Sequence, residues 1–91
     1  MLWFGVRRVV GDSMIPNLSE NTLILVRKTK NYRVGDVVGF VHQDKTLIKR
    51  VFEIKDAKYY LLGDNQKNSL DSRSLGWISS DRIKFKLIFK F

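Results

Sequence analysis

The chain has 91 residues, of which 44% are hydrophobic and 29% are charged, and its formal net charge is +8 at pH 7. This length allows one modest core and predicts a single domain over residues 1–91. Because there is no cysteine and the only histidine is His42, a disulfide framework and a thiolate metal site are excluded, and we expect neither a metal nor another cofactor. The positive charge suits an anionic partner, which leaves nucleic acid, a lipid surface and an acidic peptide open.

The first residues are apolar but too few to cross a bilayer. Residues 1–6 are followed by Arg7 and Arg8, whereas a spanning helix needs about 20 apolar residues. A secretory signal is also excluded, because its basic residues would precede the apolar run. We expect a first strand here. The alternatives are the stub of a membrane anchor and, because Trp3 and Phe4 lie close to arginines, a contact with a bilayer surface.

Short apolar runs separated by turn residues predict an all-β fold, and no segment shows sustained helical periodicity. The last run is the clearest, since apolar residues alternate with mostly cationic ones from Ile83 to Phe91. We expect a small antiparallel barrel or folded sheet of about six strands, with one or two short helical turns, at 17–21 and 79–83. The predicted strands span residues 6–10, 23–26, 37–41, 46–54, 59–62 and 83–91, and the third and fourth of them form a hairpin.

Two polar segments interrupt this pattern. The first, from Gly11 to Pro16, places Ser13 in a turn. The second is the long polar stretch from Asp64 to Ser74, and polar loops of this length in compact domains are often functional. These two segments are therefore the first places to look for chemistry.

A serine hydroxyl is a weak nucleophile until a neighbouring base takes its proton. His42 would be the usual base, but its place at a predicted strand end is typical of an exposed loop histidine. A lysine can replace it when burial lowers the lysine pKa. On the predicted strand, Leu47, Lys49 and Val51 share one face, which would provide apolar surroundings. The alternative is that Lys49 points to solvent on an edge strand.

Four segments resemble, in this order, the signature boxes of type I signal peptidases, which are serine endopeptidases with a Ser/Lys dyad. They are Ser13-Met14-Ile15-Pro16, Gly35-Asp36-Val37-Val38, Ile48-Lys49-Arg50-Val51 and the stretch from Gly63 to Arg73. The last segment is the most specific. The chain departs from the family pattern in three ways: Gly11 stands where some members carry a hydroxyl residue, Asn17 stands where threonine is usual, and the connection from Arg50 to Gly63 is short.

The resemblance implies a role for each matching residue. Ser13 would attack the scissile carbonyl, and its backbone N–H would face the oxyanion. Lys49 would take the hydroxyl proton and later activate the hydrolytic water, and Ser69 would orient the lysine amine. The other matching residues would shape the site: Met14 and Pro16 behind the nucleophile, Asp64 and Asn65 at the start of the loop, and Asp71 paired with Arg73.

The resemblance thus implies a serine endopeptidase that cleaves leader or signal peptides of preproteins after small residues, with the substrate extended along a sheet edge. Leu2, Trp3 and Phe4 would form an apolar rim, and the basic surface would meet anionic lipid at the membrane periphery. The short chain also resembles the proteases that remove the leader of nickel-containing superoxide dismutase. A dedicated maturation protease, which would be cytoplasmic, is therefore one alternative.

The other alternative is an inactive family member or a basic β-barrel that binds nucleic acid. Six aromatic residues are candidates for stacking on bases in that case: Trp3, Phe4, Tyr32, Tyr59, Tyr60 and Trp77. That interpretation explains the charge but gives no reason for the last signature segment, so we expect no nucleic-acid partner. The oligomeric state is left open.

Overall fold

The computed structural model describes residues 3–65, 67 and 70–91. Within these residues the chain forms one antiparallel sheet of seven strands, which confirms the all-β prediction. The strands are β1 (Trp3–Arg8), β2 (Leu23–Lys28), β3 (Val37–His42), β4 (Lys45–Lys55), β5 (Lys58–Leu62), β6 (Ile78–Ser79) and β7 (Ile83–Lys90). A one-turn helix, α1 (Ser72–Leu75), and a 3-10 turn (Ser80–Arg82) complete the secondary structure of the described residues.

The strand order across the sheet is β1-β2-β7-β3-β4-β5-β6. The last strand therefore returns between β2 and β3 and joins the amino-terminal hairpin to the rest of the sheet. The 3-10 turn falls where the sequence predicted a helical turn, whereas residues 17–21 form turns and bends instead of a helix. Helix α1 lies within the stretch predicted to be a polar loop. No helix of the described part of the chain is long and apolar enough to cross a membrane.

Both hairpins of the central sheet close through two-residue turns. Gln43 and Asp44 have φ values of 48° and 63°, and Asp56 and Ala57 have φ values of 53° and 62°. Two consecutive positive φ values match the twist of the flanking strands. These turns fix the register of β4 against both of its neighbours, and the register decides which side chains share a face with Lys49.

Two separate hydrophobic clusters cover opposite faces of the sheet, and successive residues of β3 supply both. Val38 and Phe40 belong to the first cluster, whereas Val37 belongs to the second. The first cluster also contains Tyr32, Val51, Tyr59, Leu61, Ile78 and Ile83, and the second contains Val9, Met14, Leu18, Ile24, Val26 and Phe85. The second cluster is covered by the segment between β1 and β2, which is the segment that carries Ser13.

The single apolar face predicted for residues 83–91 is wrong. Ile83 packs in the first cluster and Phe85 in the second, because the register of β3 and β7 shifts between these two residues. Further along β7, Phe89 and Phe91 are exposed. A bulge reverses which face the following side chains occupy, and a period of two cannot reveal it.

Gly39 leaves room for the Phe85 ring in the centre of the sheet. A Cβ at position 39 would lie 2.2 Å from Cζ of Phe85. We expect Gly39→Ala to lower the free energy of unfolding by about 1–3 kcal/mol, the usual range for an overpacked core. Urea unfolding followed by circular dichroism measures this change.

The double variant Gly39→Ala/Phe85→Leu supplies the control for this prediction. Because the shorter leucine frees the space that the new methyl group needs, the losses of the two single variants should be less than additive. Fully additive losses would show that the ring is not the obstacle.

Candidate active site

The turn that carries Ser13 is closed by its own backbone. We call residues 11–17 the nucleophile turn. Within it, Ile15 N–H donates to the Asp12 carbonyl at 3.2 Å, and Asn17 N–H donates to the Met14 carbonyl at 2.9 Å. The Met14 side chain is only 1% exposed and belongs to the second cluster. Ser13 is half-buried at the surface of that anchor.

The segment after β5 docks directly on the nucleophile turn. Asn65 donates its backbone N–H to the Ser13 carbonyl at 2.7 Å and its side-chain amide to the Asp12 carbonyl at 3.0 Å. Asp64 N–H donates to Sδ of Met14 at 3.5 Å. The first and last signature segments, far apart in sequence, are therefore in contact, with Ser13 at the contact.

Arg50 connects these two segments to the second signature segment. Its Nε and Nη2 donate to Oδ1 and Oδ2 of Asp64 at 2.9 and 2.8 Å, and its Nη1 donates to the Gly35 carbonyl at 2.9 Å. The hydrogen bond from Arg50 is the largest of the influences that lower the pKa of Asp64. Bidentate, charge-assisted pairs of this kind fix orientation as well as distance.

Lys49 is buried on the inner strand β4, with an exposed fraction of 2%. Val51 and Leu47, two residues away on either side, pack in or against the first cluster, as the shared face predicted. The interpretation in which Lys49 points to solvent is therefore wrong. Burial is the main cause that lowers the pKa of Lys49; the Asp71 carboxylate opposes this, and Arg73 adds a smaller lowering.

Asp71 is fully buried and organises the loop beside Lys49. Its Oδ2 accepts the Gly63 N–H at 2.9 Å, and the Arg73 guanidinium pairs with both of its oxygens, at 3.0 and 2.8 Å. It also caps α1 by accepting the Arg73 N–H. The hydroxyl of Ser72 accepts the Leu61 N–H at 2.8 Å, which ties α1 to β5. The predicted pair of Asp71 and Arg73 is thus present, with a buried carboxylate and an exposed arginine.

The structure brings Ser13 and Lys49 to one short segment, residues 63–65. Arg50 pairs with Leu62 in the β4–β5 ladder, so Lys49 lies beside the start of this segment. Ser13 is bonded to its end through Asn65. The residue predicted to orient the lysine, Ser69, lies outside the described residues.

His42 is placed away from this group. It is the last residue of β3, four residues beyond the Val38 that pairs with Lys49, which is about 13 Å along a strand. It is half-buried rather than exposed, and its Nδ1 lies 3.2 Å from Nη2 of Arg82. His42 therefore lies at the other end of β3 and is not a partner of Ser13.

Two contributors to the site were missed from the sequence. Neither Arg50 nor Asn17 has a role in the site that the sequence predicts. Asn17 Nδ2 donates to Oδ2 of Asp64 at 2.7 Å, across 47 residues of sequence. The one signal in the sequence is the position of Arg50 directly after the candidate lysine. Because arginine stays charged, it indicates an acidic partner.

A comparison with protein families agrees with this geometry. A match to one family, described as Peptidase S24-like, covers residues 4–75. The chain belongs to the Peptidase S24-like family. The resemblance to signal peptidases is thereby confirmed at the level of the family.

The curated relatives of this S24-like chain include signal peptidases. It is 33% identical over 72 residues to "Signal peptidase I" of Buchnera aphidicola subsp. Schizaphis graminum, and 29% identical over 99 residues to "Signal peptidase IB" of Staphylococcus aureus. These matches cover 79% and 94% of this chain. The chain spans 21% of the length of the first relative and 52% of the second.

The buried amine of Lys49 should leave a signature in the pH dependence of stability. Because its pKa is lowered in the folded chain, the unfolded chain binds more protons at any pH above that lowered value. Its contribution to the free energy of unfolding therefore rises with pH until about 10.4, the pKa of a free lysine. The parent chain should gain stability relative to Lys49→Met across this window.

Urea unfolding at a series of alkaline pH values measures the difference. Lys58→Met is the matched control, because Lys58 is exposed at the start of β5. A difference between the parent and Lys49→Met that does not change with pH would show that the amine keeps its proton in the fold.

Proposed function

We propose that the chain is a serine endopeptidase of the signal-peptidase type, with Ser13 as nucleophile and Lys49 as general base. The observation that carries the proposal is a buried lysine of lowered pKa beside the segment that is hydrogen-bonded to Ser13. A lysine held neutral near neutral pH can accept a proton from a serine hydroxyl. Family membership and the signal-peptidase relatives support the same reaction class.

The proposed reaction has two steps. In the first, the Ser13 hydroxyl passes its proton to Nζ of Lys49 while Oγ bonds to the scissile carbonyl carbon; the C–N bond then breaks, and Lys49 returns the proton to the leaving amine. In the second, Lys49 takes a proton from water, and the hydroxide attacks the acyl carbon. The ester bond then breaks and the proton returns to Oγ of Ser13, which restores the free enzyme.

Electrostatic help for the oxyanion would come from the backbone N–H of Ser13. The peptide plane that carries this N–H is held in one orientation, because the Asp12 carbonyl in the same plane accepts the Asn65 side-chain amide at 3.0 Å and the Ile15 N–H at 3.2 Å. Gly11 contributes no hydroxyl, so this site relies on backbone donors at that position.

An extended peptide has a sheet edge available next to Lys49. Residues 45–49 of β4 pair with β3 on one side, and β5 pairs with β4 only from Arg50 onwards. Among the described residues, no strand pairs with the other side of 45–49. A peptide added along this edge would run towards Lys49, in keeping with strand addition. The preference for small residues before the cut follows from the resemblance.

The same site serves either of two substrate classes. A general signal peptidase would cleave many leaders, whereas a maturation protease would cleave the leader of one precursor such as nickel-containing superoxide dismutase. The nucleic-acid alternative is weakened, because Tyr32 and Tyr59 are buried and pack edge to face in the first cluster. Neither ring is available to stack on a base.

Cleavage of a leader peptide with alanine before the cut tests the proposed dyad. Ser13→Ala and Lys49→Arg should each lower kcat/KM by roughly 10³-fold or more, since alanine removes the nucleophile and arginine stays protonated and cannot act as a base. Product formation is followed by mass spectrometry, with single leaders and a mixture of leaders as substrates.

Two variants serve as controls for the dyad. Ser19→Ala and Lys58→Met change exposed residues outside the site and should cleave like the parent. If the parent fails to cleave any leader, with or without lipid present, or if the dyad variants cleave as well as the parent, the proposed function is wrong.

We also propose that the peptidase works at an anionic membrane surface. One face of the β1-β2-β7 part of the sheet is apolar and open, and we call it the outer face. Leu25 on β2 pairs with Val6 of β1 and with Phe89 of β7, so all three side chains lie on this face. The Phe89 ring contacts the Phe91 ring, with 5.4 Å between centroids. Val6, Phe89 and Phe91 are 58%, 56% and 66% exposed.

Positively charged residues on the outer face indicate which partner covers it, a second copy of the chain or an anionic bilayer. Arg8 pairs with Leu23 and Arg27 pairs with Phe4, which places both guanidinium groups on the outer face. None of the three strands contains an acidic residue, and the net charge is +8. A second copy of the chain would bring like charges together, whereas an anionic bilayer offers both apolar burial and opposite charge. Trp3 pairs with Lys28 and so lies on the opposite face from Phe4, which divides the predicted rim.

Vesicle sedimentation tests this surface. The parent should bind vesicles that contain phosphatidylglycerol and bind phosphatidylcholine vesicles more weakly. Phe89→Ala should weaken binding about three- to tenfold, through loss of apolar burial, and Arg8→Gln about fivefold.

Trp77→Ala is the control, since Trp77 is 40% exposed but contacts Tyr60 elsewhere on the molecule. It should bind vesicles like the parent. Equal binding by all four chains, or a stable dimer in sedimentation equilibrium that Phe89→Ala dissociates, would contradict the membrane assignment.

A further inference from the structure

Asn17 ends the nucleophile turn, and the family resemblance gives it no role. Its side-chain amide donates to Oδ2 of Asp64 at 2.7 Å. Its carbonyl accepts from Nζ of Lys90 at 3.0 Å, and its N–H closes the turn onto the Met14 carbonyl at 2.9 Å. Asn17 therefore joins three parts of the chain: the turn itself, the segment after β5 and the end of β7.

Asp64 is a firm point of attachment for this amide. Its two carboxylate oxygens also accept Nε and Nη2 of Arg50, at 2.9 and 2.8 Å. The hydrogen bond from Asn17 is one of the causes that lower the pKa of Asp64, after the hydrogen bond from Arg50. A charged acceptor held by an arginine makes a stronger and better oriented bond than a neutral one.

Packing does not hold Asn17 in place. One cavity of about 550 Å³ and another of about 520 Å³ are both lined by Asn17 and Arg50. Asn17 is thus an exposed residue that borders two cavities. Its position depends on its hydrogen bonds, because a poorly packed side chain has few neighbours to fix its rotamer.

The nucleophile turn is consequently attached to residues 64–65 at two points. Near its middle, the Ser13 carbonyl accepts from Asn65; at its end, the Asn17 amide donates to Asp64. Without the Asn17 amide, the Asn65 bonds and the buried Met14 side chain would still hold the part around Ser13, but the end of the turn would lose its bond to Asp64. With both attachments, the peptide planes between Ser13 and Asn17 are fixed relative to the strand that carries Lys49.

We propose that Asn17 is a positioning residue that clamps the end of the nucleophile turn onto Asp64 and thereby fixes the Ser13 hydroxyl relative to Lys49. The effect on cleavage rests on the proposed function, whereas the effect on the turn does not. Threonine, the residue usual in the family, has a shorter side chain and donates one hydrogen bond. In this chain, the longer side chain of Asn17 reaches Asp64 with its amide.

Two measurements on Asn17→Ala test the clamp. Because a misplacement of about 1 Å can cost about 100-fold in rate, we expect kcat to fall roughly 10- to 100-fold, with KM little changed. Independently of cleavage, amide hydrogen exchange should accelerate at Asn65, whose N–H bonds to Ser13. It should stay unchanged at Leu61, whose N–H bonds to Ser72. A residue that only supported the fold would change both amides together.

A charge variant gives a pH test that a merely structural role would not pass. Asn17→Asp places a carboxylate against Asp64, with Arg50 and Lys90 as the other charged groups in contact with this pair. Repulsion raises the pKa of one carboxyl, so a proton bound at lower pH restores a donor between them. The ratio of kcat/KM for Asn17→Asp to that of the parent should therefore rise as the pH falls. Asn31→Asp adds the same charge in an exposed loop and should give a flat ratio.

The outcomes separate the two proposals. Faster exchange at Asn65 alone in Asn17→Ala supports the clamp even if the parent cleaves no peptide, and in that case only the proposed function fails. Unchanged exchange at Asn65, or a parent-like kcat in an active chain, overturns the clamp. So does a ratio for Asn17→Asp that stays flat with pH in an active chain.

Discussion

The burial of one lysine amine is the constraint on which the site depends. An ammonium taken out of water costs several kcal/mol unless it is paired or loses its proton, so the chain must surround Lys49 with groups that set its charge state. The apolar neighbours on β4 favour the neutral form, and the Asp71 carboxylate moderates that effect. Arg73 in turn holds Asp71, which leaves the carboxylate paired in every charge state of the lysine.

The two carboxylates of the last signature segment hold its described residues in place. Asp71 is fully buried, and Asp64 is held by Arg50. Asp71 bonds the start of the segment, at Gly63, to its end, at Arg73, and Asp64 bonds the segment to Arg50 of β4 and to Asn17 of the nucleophile turn. Hydrogen bonds and ion pairs of these polar side chains stabilise the segment, as apolar packing stabilises the two clusters. Unlike apolar packing, these bonds are directional.

Much of the fold could be predicted from the sequence, because strand periodicity and turn residues are local signals. Six of the seven strands of the described residues begin within a few positions of the predicted starts. The strand β6, two residues long, carries no periodic signal, and α1 is a single turn capped by Asp71. The bulges in β7 skip Lys84 in the register with β3 and Ile88 in the register with β2, and the sequence of β7 alone does not reveal this change of face.

The site was predictable in its residue types but not in its contacts. The face shared by Leu47, Lys49 and Val51 follows from a period of two, and the burial of Lys49 agrees with it. By contrast, the bond from Asn17 to Asp64 joins two loops that are each irregular. No local pattern specifies such a pair, because it exists only after the sheet has brought both loops together.

The place of β7 in the sheet has a consequence for the time at which the site assembles. Ser13 belongs to the part built on β1 and β2, Lys49 to the part built on β3 to β6, and β7 pairs with both β2 and β3. A nascent chain on the ribosome that lacks residues 83–90 has no strand to join the two halves. The part with Ser13 and the part with Lys49 are therefore joined through the sheet only after residues 83–90, which follow every residue of the candidate site, have been synthesised.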